Sequence, residues 1–297
     1  EHRLFWLAGL VDHIIVMRQG RVVEDSTDSH MELMTADALH DKQLRAFNLE
    51  SLRHASPPAP PCKGDAFLRA SHVSFSYRGE PPLLSDISLS AWKGEVIALI
   101  GRNGSGKTTL GKVLTGLIPC KDGRFVVAGS QVRQKRLSDY AYFVMQEADH
   151  QLYKESAVEE LRLGNERASD IDERIAGILD MLNLTDFAQH HPYALSGGQK
   201  QRLTIGTAMA SSKPIVVLDE PTSGLDWGNM CAVAQAINQL RESGRLVFVI
   251  THDIELVDLT ATRVLALAEG RIADDFPLSS QAALERTRQI MLGGGLL

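Results

Sequence analysis

The chain has 297 residues, 44% of them hydrophobic, so a substantial core is available and wholesale disorder is excluded. Lys and Arg total 31 against 37 Asp and Glu, and the net charge of −6 argues against holding nucleic acid by bulk charge. Three scattered cysteines, Cys62, Cys120 and Cys231, form neither a disulfide framework nor a zinc spacing, which points to a reducing compartment. No apolar run reaches the roughly 18 residues that span a bilayer, and the residues given show no signal-peptide pattern, so any membrane role is expected to run through a partner.

In chain order, the first signal is an internal repeat. Residues 2–25 align without a gap on residues 252–275, at a constant offset of 250. His2, Gly20, Arg21 and Asp25 meet His252, Gly270, Arg271 and Asp275, and Ile14, Ile15, Met17 and Val22 meet apolar Val264, Leu265, Leu267 and Ile272. The shared pattern of strand, Gly-Arg turn and strand predicts that 1–25 is the tail of a preceding copy of one domain. The expected organisation is thus a remnant at 1–25, a linker at 26–63 carrying the extended run 57–61 (Pro-Pro-Ala-Pro-Pro), and a complete domain at 64–297. A chain that opens on Glu1 agrees with a piece of a longer protein.

Within the complete domain, alternation predicts strands over 67–77 and 87–91, and short apolar runs predict buried strands over 95–100, 140–145, 215–218, 246–250 and 264–268. Helical patterns fall over 108–117, 157–163, 171–182, 198–210, 229–242 and 254–259. Buried strands alternating with helices mean an α/β fold on a mostly parallel sheet.

Residues 101–108, Gly-Arg-Asn-Gly-Ser-Gly-Lys-Thr, fit G-x-x-x-x-G-K-[ST] between a predicted strand and a predicted helix. Glycines let successive N–H groups turn inward on phosphates, and the helix N-terminus adds to that field. Lys107 is expected to reach the β- and γ-phosphates and the Thr108 hydroxyl to ligate Mg²⁺. The apolar run 214–218 ends in Asp219 and Glu220, which suits one carboxylate for the metal and a second for orienting or deprotonating water. Leu195, Ser196, Gly197, Gly198 and Gln199 precede a helical run, and such a Ser-Gly-Gly opening makes a second anion site.

Together these motifs resemble the nucleotide-binding domain of the ABC transporter superfamily, from about residue 67 to the C-terminal region. Residues 195–199 match its LSGGQ signature, 23 residues before the acidic pair by the count 219 − 196. The resemblance implies a P-loop α/β fold with an antiparallel β subdomain and a helical signature subdomain. It implies ATP and Mg²⁺ as ligands. The nucleotide contacts would be Tyr77, on the adenine, and Gly101, Asn103, Gly104, Ser105, Gly106, Lys107, Thr108 and Thr109. Thr108, Gln146 and Asp219 would serve the metal, and Glu220, His252 and Gln146 the hydrolysis. Ser196, Gly197, Gly198 and Gln199 would close the ATP of a partner domain, with Asp226 in the loop at that interface. The required second domain would be the fused upstream copy, with His2 as its switch histidine, or a second identical chain.

Residues 146–153, Gln-Glu-Ala-Asp-His-Gln-Leu-Tyr, further resemble a segment of energy-coupling-factor ATPases, which drive uptake of vitamins and transition-metal ions. That resemblance implies a transmembrane coupling subunit, a substrate-binding membrane subunit and a place on the cytoplasmic face of the membrane. Glu147 and Asp149 would accept arginines of the coupling subunit. Two other functions stand beside this one: a soluble ABC ATPase on ribosomes or DNA, and a fused sugar-importer ATPase. The short, proline-punctuated linker counts against the former and the intact catalytic positions against the latter. The basic cluster of Arg133, Lys135 and Arg136 reads as a solvated loop, so nucleic acid is not an expected partner. His190 and His191 lack metal spacing, and the glycines at 293–295 suggest a mobile tail.

Overall fold

The computed structural model describes residues 4–7, 10–18, 20–27, 34–47, 49, 52, 64–166 and 168–293. His2, Cys62, the proline run 57–61 and the glycines at 294–295 lie outside them. After a 3-10 turn at Leu4–Leu7 comes a hairpin, β1 (His13–Arg18) and β2 (Arg21–Thr27), followed by α1 (Ala36–Asp41). Next come β3 (Leu68–Phe75), β4 (Leu84–Ala91), β5 (Val96–Gly101), α2 (Lys107–Leu114), β6 (Asp122–Val127), β7 (Ser130–Val132) and β8 (Ala141–Val144). The helices α3 (Ala157–Arg162), α4 (Ile171–Met181) and α5 (Gly197–Ala210) follow. The chain then runs through β9 (Ile215–Asp219), α6 (Trp227–Glu242), β10 (Leu246–Ile250), α7 (Ile254–Thr260), β11 (Arg263–Ala268), β12 (Arg271–Pro277) and α8 (Gln281–Met291).

Six strands form the central sheet in the order β12-β11-β5-β10-β9-β8. All neighbours run parallel except β11 and β12. Every residue of β5, β9 and β10 is buried, which is why these strands read as unbroken apolar runs. A second, antiparallel sheet runs β4-β3-β6-β7, and its strands β3 and β4 alternate buried and open residues because one face meets water. Between the two sheets lies α2, in a core that includes Leu68, Phe125, Leu110, Val113 and Phe248. On the other face, α3 to α6 pack against the central sheet, and α4 offers Ile171, Ile175, Ile178 and Leu179 at helical spacing. This is the α/β architecture expected, with the antiparallel subdomain and the helical subdomain both present.

The expected helix 108–117 stops at Leu114, because Gly116 takes φ +75° and the turn closes there. β6 and β7 went unread: Asp122-Gly123-Arg124 is a polar, glycine-bearing start with no clean alternation. The expected linker 26–63 needs correction over its described part. Residues 36–41 are helical, and Leu39, Arg45, Ala46 and Phe47 are buried. Ala36, Ala46, Leu49 and Leu52 share an apolar core with Ala98 and Ile254, so this stretch packs on the domain that follows.

The repeat is geometric as well as sequential. Adding 250 to the bounds of β1 and β2 gives those of β11 and β12. Both hairpins carry an irregularity at the same place, Val16/Met17 and Ala266/Leu267. The cross-strand pair His13–Asp25 stands where Arg263–Asp275 stands in the second copy. The environments differ. Leu265 and Leu267 are buried beside β5, whereas Ile15 and Met17 are 58% and 63% exposed.

Candidate functional site

Parallel strands in one sheet end at one edge, and that edge collects the functional loops. After β5 comes the loop 101–106, after β8 Gln146, after β9 Glu220, and after β10 His252. They border one cleft of about 530 Å³, lined by Tyr77, Asn103, Gly104, Gly106, Lys107, Thr108, Thr109, Gln146, Asp219, Glu220 and His252. Leu83, Ser223 and Ile250 complete the wall. Leu83 and Ile250 carry no motif signal and contribute by proximity, whereas Ser223 opens the stretch 223–226 that ends at Asp226.

The loop depends on glycine where the backbone is crowded. Gly101 has φ +142°, and a Cβ there would come within 2.2 Å of the Leu267 carbonyl oxygen on β11. At Gly106, φ +98°, a Cβ would meet the Leu84 side chain at 2.6 Å. Gly106 caps α2 without any side-chain acceptor, so the first N–H groups of this eight-residue helix stay directed at the cleft. Lys107 is buried and its Nζ donates to the carbonyls of Gly101 at 2.8 Å and Arg102 at 2.9 Å. Burial pushes its pKa down, opposed by Glu220 and Asp219.

Thr108 Oγ1 donates to Asp219 Oδ1 at 3.2 Å. Burial lifts the Asp219 carboxyl above the usual carboxylate range, against the Thr108 hydrogen bond and the charges of Lys112 and Lys107. Glu220 has the left-handed φ of +47°, a conformation costly for a residue with Cβ, while its N–H donates to Ile250 O at 2.8 Å. Its carboxylate lies 3.7 Å from His252 Nε2. Tyr77 is 47% exposed and meets Phe75 edge-on at 4.8 Å, leaving a ring face for a planar ligand.

The donor set fits a triphosphate and a hard cation. Ser105 Oγ is buried without a hydrogen-bond partner in the loop, as a phosphate contact would leave it. The hydroxyl and carboxylate oxygens of Thr108 and Asp219, with Gln146 on the same cleft, suit Mg²⁺, which takes few protein oxygens and keeps waters and phosphate.

The signature residues and Asp226 are not among the residues lining this cleft. Ser196 opens α5 in a capping box: its hydroxyl accepts from Gln199 N at 3.4 Å, and Gln199 Oε1 accepts from Ser196 N at 2.8 Å. Asp226 caps α6 through Asn229 N at 2.8 Å. Beyond Gln146, the Gln151 amide ties the loop by bonding Met145 N, Phe143 O and the Tyr142 hydroxyl. Asp149 and Glu147, expected as acceptors for a partner's arginines, engage this chain's own Lys200 at 2.6 Å and His150 at 3.2 Å.

A phosphate-binding loop at the switch of a parallel sheet, facing an acidic strand end, defines a P-loop nucleotide-binding domain. The family model for "ABC transporter" matches residues 84–223. A Pyrococcus furiosus protein named as an ABC transporter ATP-binding protein is 37% identical over 207 residues, 67% of this chain and 79% of its own. The chain belongs to the ABC transporter ATP-binding family. A Treponema denticola relative of the same name is 37% identical over 287 residues, 96% of this chain but 58% of its own length. The chain thus spans little more than half of that relative. A Bacillus subtilis relative, YkoD, named for HMP/thiamine import, is 34% identical over 71% of this chain and 39% of its own. Among solved structures, the dimeric bacterial cassette MJ0796 matches with TM-score 0.64 and 27% identity, covering 71% of this chain and 98% of its own.

Proposed function

We propose that the chain is the ATP-hydrolysing motor of an ABC importer of the energy-coupling-factor type. The observation that carries the ATPase reading is the convergence of the phosphate loop, Asp219, Glu220, Gln146 and His252 on one cleft. Tyr77 stacks on adenine, residues 101–109 cradle the phosphates, and Lys107 turns from its two carbonyls to the β- and γ-phosphates. Thr108, Asp219 and Gln146 would hold Mg²⁺, which would supply positive charge against the phosphates. Glu220 takes the proton of the attacking water, and His252 contacts the γ-phosphate beside it.

The separation of the signature from the cleft supports a two-cassette site, in which Ser196, Gly197, Gly198 and Gln199 of one copy close the ATP of another, across Asp226. We assign residues 1–25 to the end of an upstream cassette. The hairpin that repeats at offset 250, with apolar residues open where β11 meets β5, supports this. The importer type is supported by the segment 146–153 and by the likeness to a relative named for HMP/thiamine import. The reading places the chain on the cytoplasmic face of a membrane, against a coupling subunit and a substrate-binding subunit. Among the described residues, no helix is long and apolar enough to cross a membrane.

The test is Mg²⁺-dependent phosphate release as a function of chain concentration. Hydrolysis per chain rises with concentration if two copies build the site, and the Glu220→Gln chain binds ATP without turnover. Full hydrolysis per chain at high dilution would refute the two-cassette site, and undiminished turnover in Glu220→Gln would refute the assigned base.

A further inference from the structure

Arg45 precedes the cassette in sequence yet is among the largest fully buried side chains, at 1% exposure. A buried guanidinium survives only where its charge and its donors are matched. Its Nε donates to Glu255 Oε2 at 2.5 Å, one terminal nitrogen to the Asp253 carboxylate, and the other to the Leu225 carbonyl at 3.5 Å. Glu255 Oε1 also accepts from Ala46 N at 2.9 Å and lies 3.2 Å from His40 Nε2. The His40 ring stacks on Trp227, the residue after Asp226, with centroids 3.3 Å apart.

The partners of Arg45 are the point of interest. Asp253 follows His252 and caps α7 through Leu256 N at 3.3 Å. Its other oxygen accepts from the Thr222 hydroxyl at 2.6 Å, two residues beyond Glu220. Leu225 belongs to the loop that ends at Asp226. One planar fork therefore bridges the loop of His252 and the loop from Glu220 to Asp226, and charge-assisted bonds of this kind fix direction as well as distance.

We propose that Arg45 is a positioning residue for ATP hydrolysis: it holds the His252 loop and the loop after Glu220 in one register, so the segment before the cassette sets the catalytic geometry. This rests on the roles given above to Glu220 and His252.

The experiment compares Arg45→Met, Arg45→Lys and His252→Ala with the parent in the full chain. It reads hydrogen exchange by peptide, the stoichiometry and affinity of ATP binding, and hydrolysis per binding-competent site. Arg45→Met is expected to speed exchange at 220–227 and 250–257 while 84–100 stays protected, and to lower kcat per competent site about tenfold with affinity kept within about threefold. Arg45→Lys keeps the charge but loses the fork, so its kcat falls between the two; it carries the comparison if Arg45→Met fails to fold. Unchanged kcat per competent site in the folded variants, or exchange that rises equally everywhere, overturns the proposal. If His252→Ala is impaired and the Arg45 variants are not, only the proposal fails. If His252→Ala retains full turnover, the role given to His252 fails and the proposal with it.

Discussion

At the scale of single residues, the site is built from groups placed where the fold alone would not favour them. Glu220 is in a left-handed conformation, and Asp219 is buried with its pKa raised, mainly by desolvation. An acid whose folded pKa lies above its unfolded value favours the fold when protonated, and that contribution fades as pH rises through the folded value. Above the ordinary carboxylate pKa, Asp219 therefore opposes folding. Asp219→Asn should raise the melting temperature of the nucleotide-free chain by a few degrees, with the gain shrinking as pH falls through the carboxylate range, and should abolish Mg²⁺-dependent hydrolysis. Melting curves of the two chains at pH 4 and pH 7 check the sign. Tyr77→Ala should weaken nucleotide binding by roughly 1–3 kcal/mol, the scale of base–aromatic stacking, and Tyr77→Phe should preserve it. Equal losses in the two variants would assign the contact to the hydroxyl instead.

At the scale of elements, the cleft depends on how closely β5 and β11 approach. The registers Ala266↔Ile100 and Leu267↔Gly101 carry β11 to the start of the phosphate loop, and the Leu267 carbonyl fills the space a Cβ would need. The obstacle is backbone in a paired strand, so it cannot rotate away as a side chain would. Gly101→Ala should therefore cost several kcal/mol and abolish ATP binding, whereas Gly104→Ala, with open space around it but φ +81°, should lose about 1 kcal/mol. Chemical denaturation of the two variants measures the difference, and equal losses would show that φ, not the close approach, decides. Helix α5 shows a different economy: its capping box satisfies the first turn locally, and Ser196 to Gln199 stay at the surface.

At the scale of the whole molecule, the two-sheet nucleotide-binding domain is preceded by a hairpin that duplicates the edge of its central sheet. The open apolar residues Ile15, Met17 and Val22 are the counterpart of Leu265, Leu267 and Ile272, which β11 and β12 bury or half-bury. If that hairpin closes an upstream cassette, supplying the cassette in one polypeptide makes the encounter of phosphate loop and signature intramolecular. Hydrolysis should then become independent of protein concentration and exceed that of the present chain by roughly 10²–10⁴-fold at dilution, the range of effective-concentration gains. A longer chain with no gain at dilution would contradict the tandem arrangement.

The sequence by itself determined the buried strands, the phosphate-loop motif and the repeat. Unbroken apolar runs such as 96–100 and 215–218, short and bounded by turn residues, read as buried strands, and the spacing of Gly101 to Thr108 and of Asp219 to Glu220 is legible in local order. The hairpin of 13–27 was legible because it copies a pattern 250 residues away. Only the tertiary structure decided what meets across that distance. Nothing in Gln43-Leu44-Arg45-Ala46 announces a buried cation, because its partners Asp253 and Glu255 lie more than 200 residues on and no periodicity links them. Likewise Asp149 reads as free for a partner until α5 brings Lys200 to it. Motifs survive as sequence because one short stretch of backbone performs them, whereas ion pairs and wall residues such as Leu83 exist only once separate strands end at a common edge.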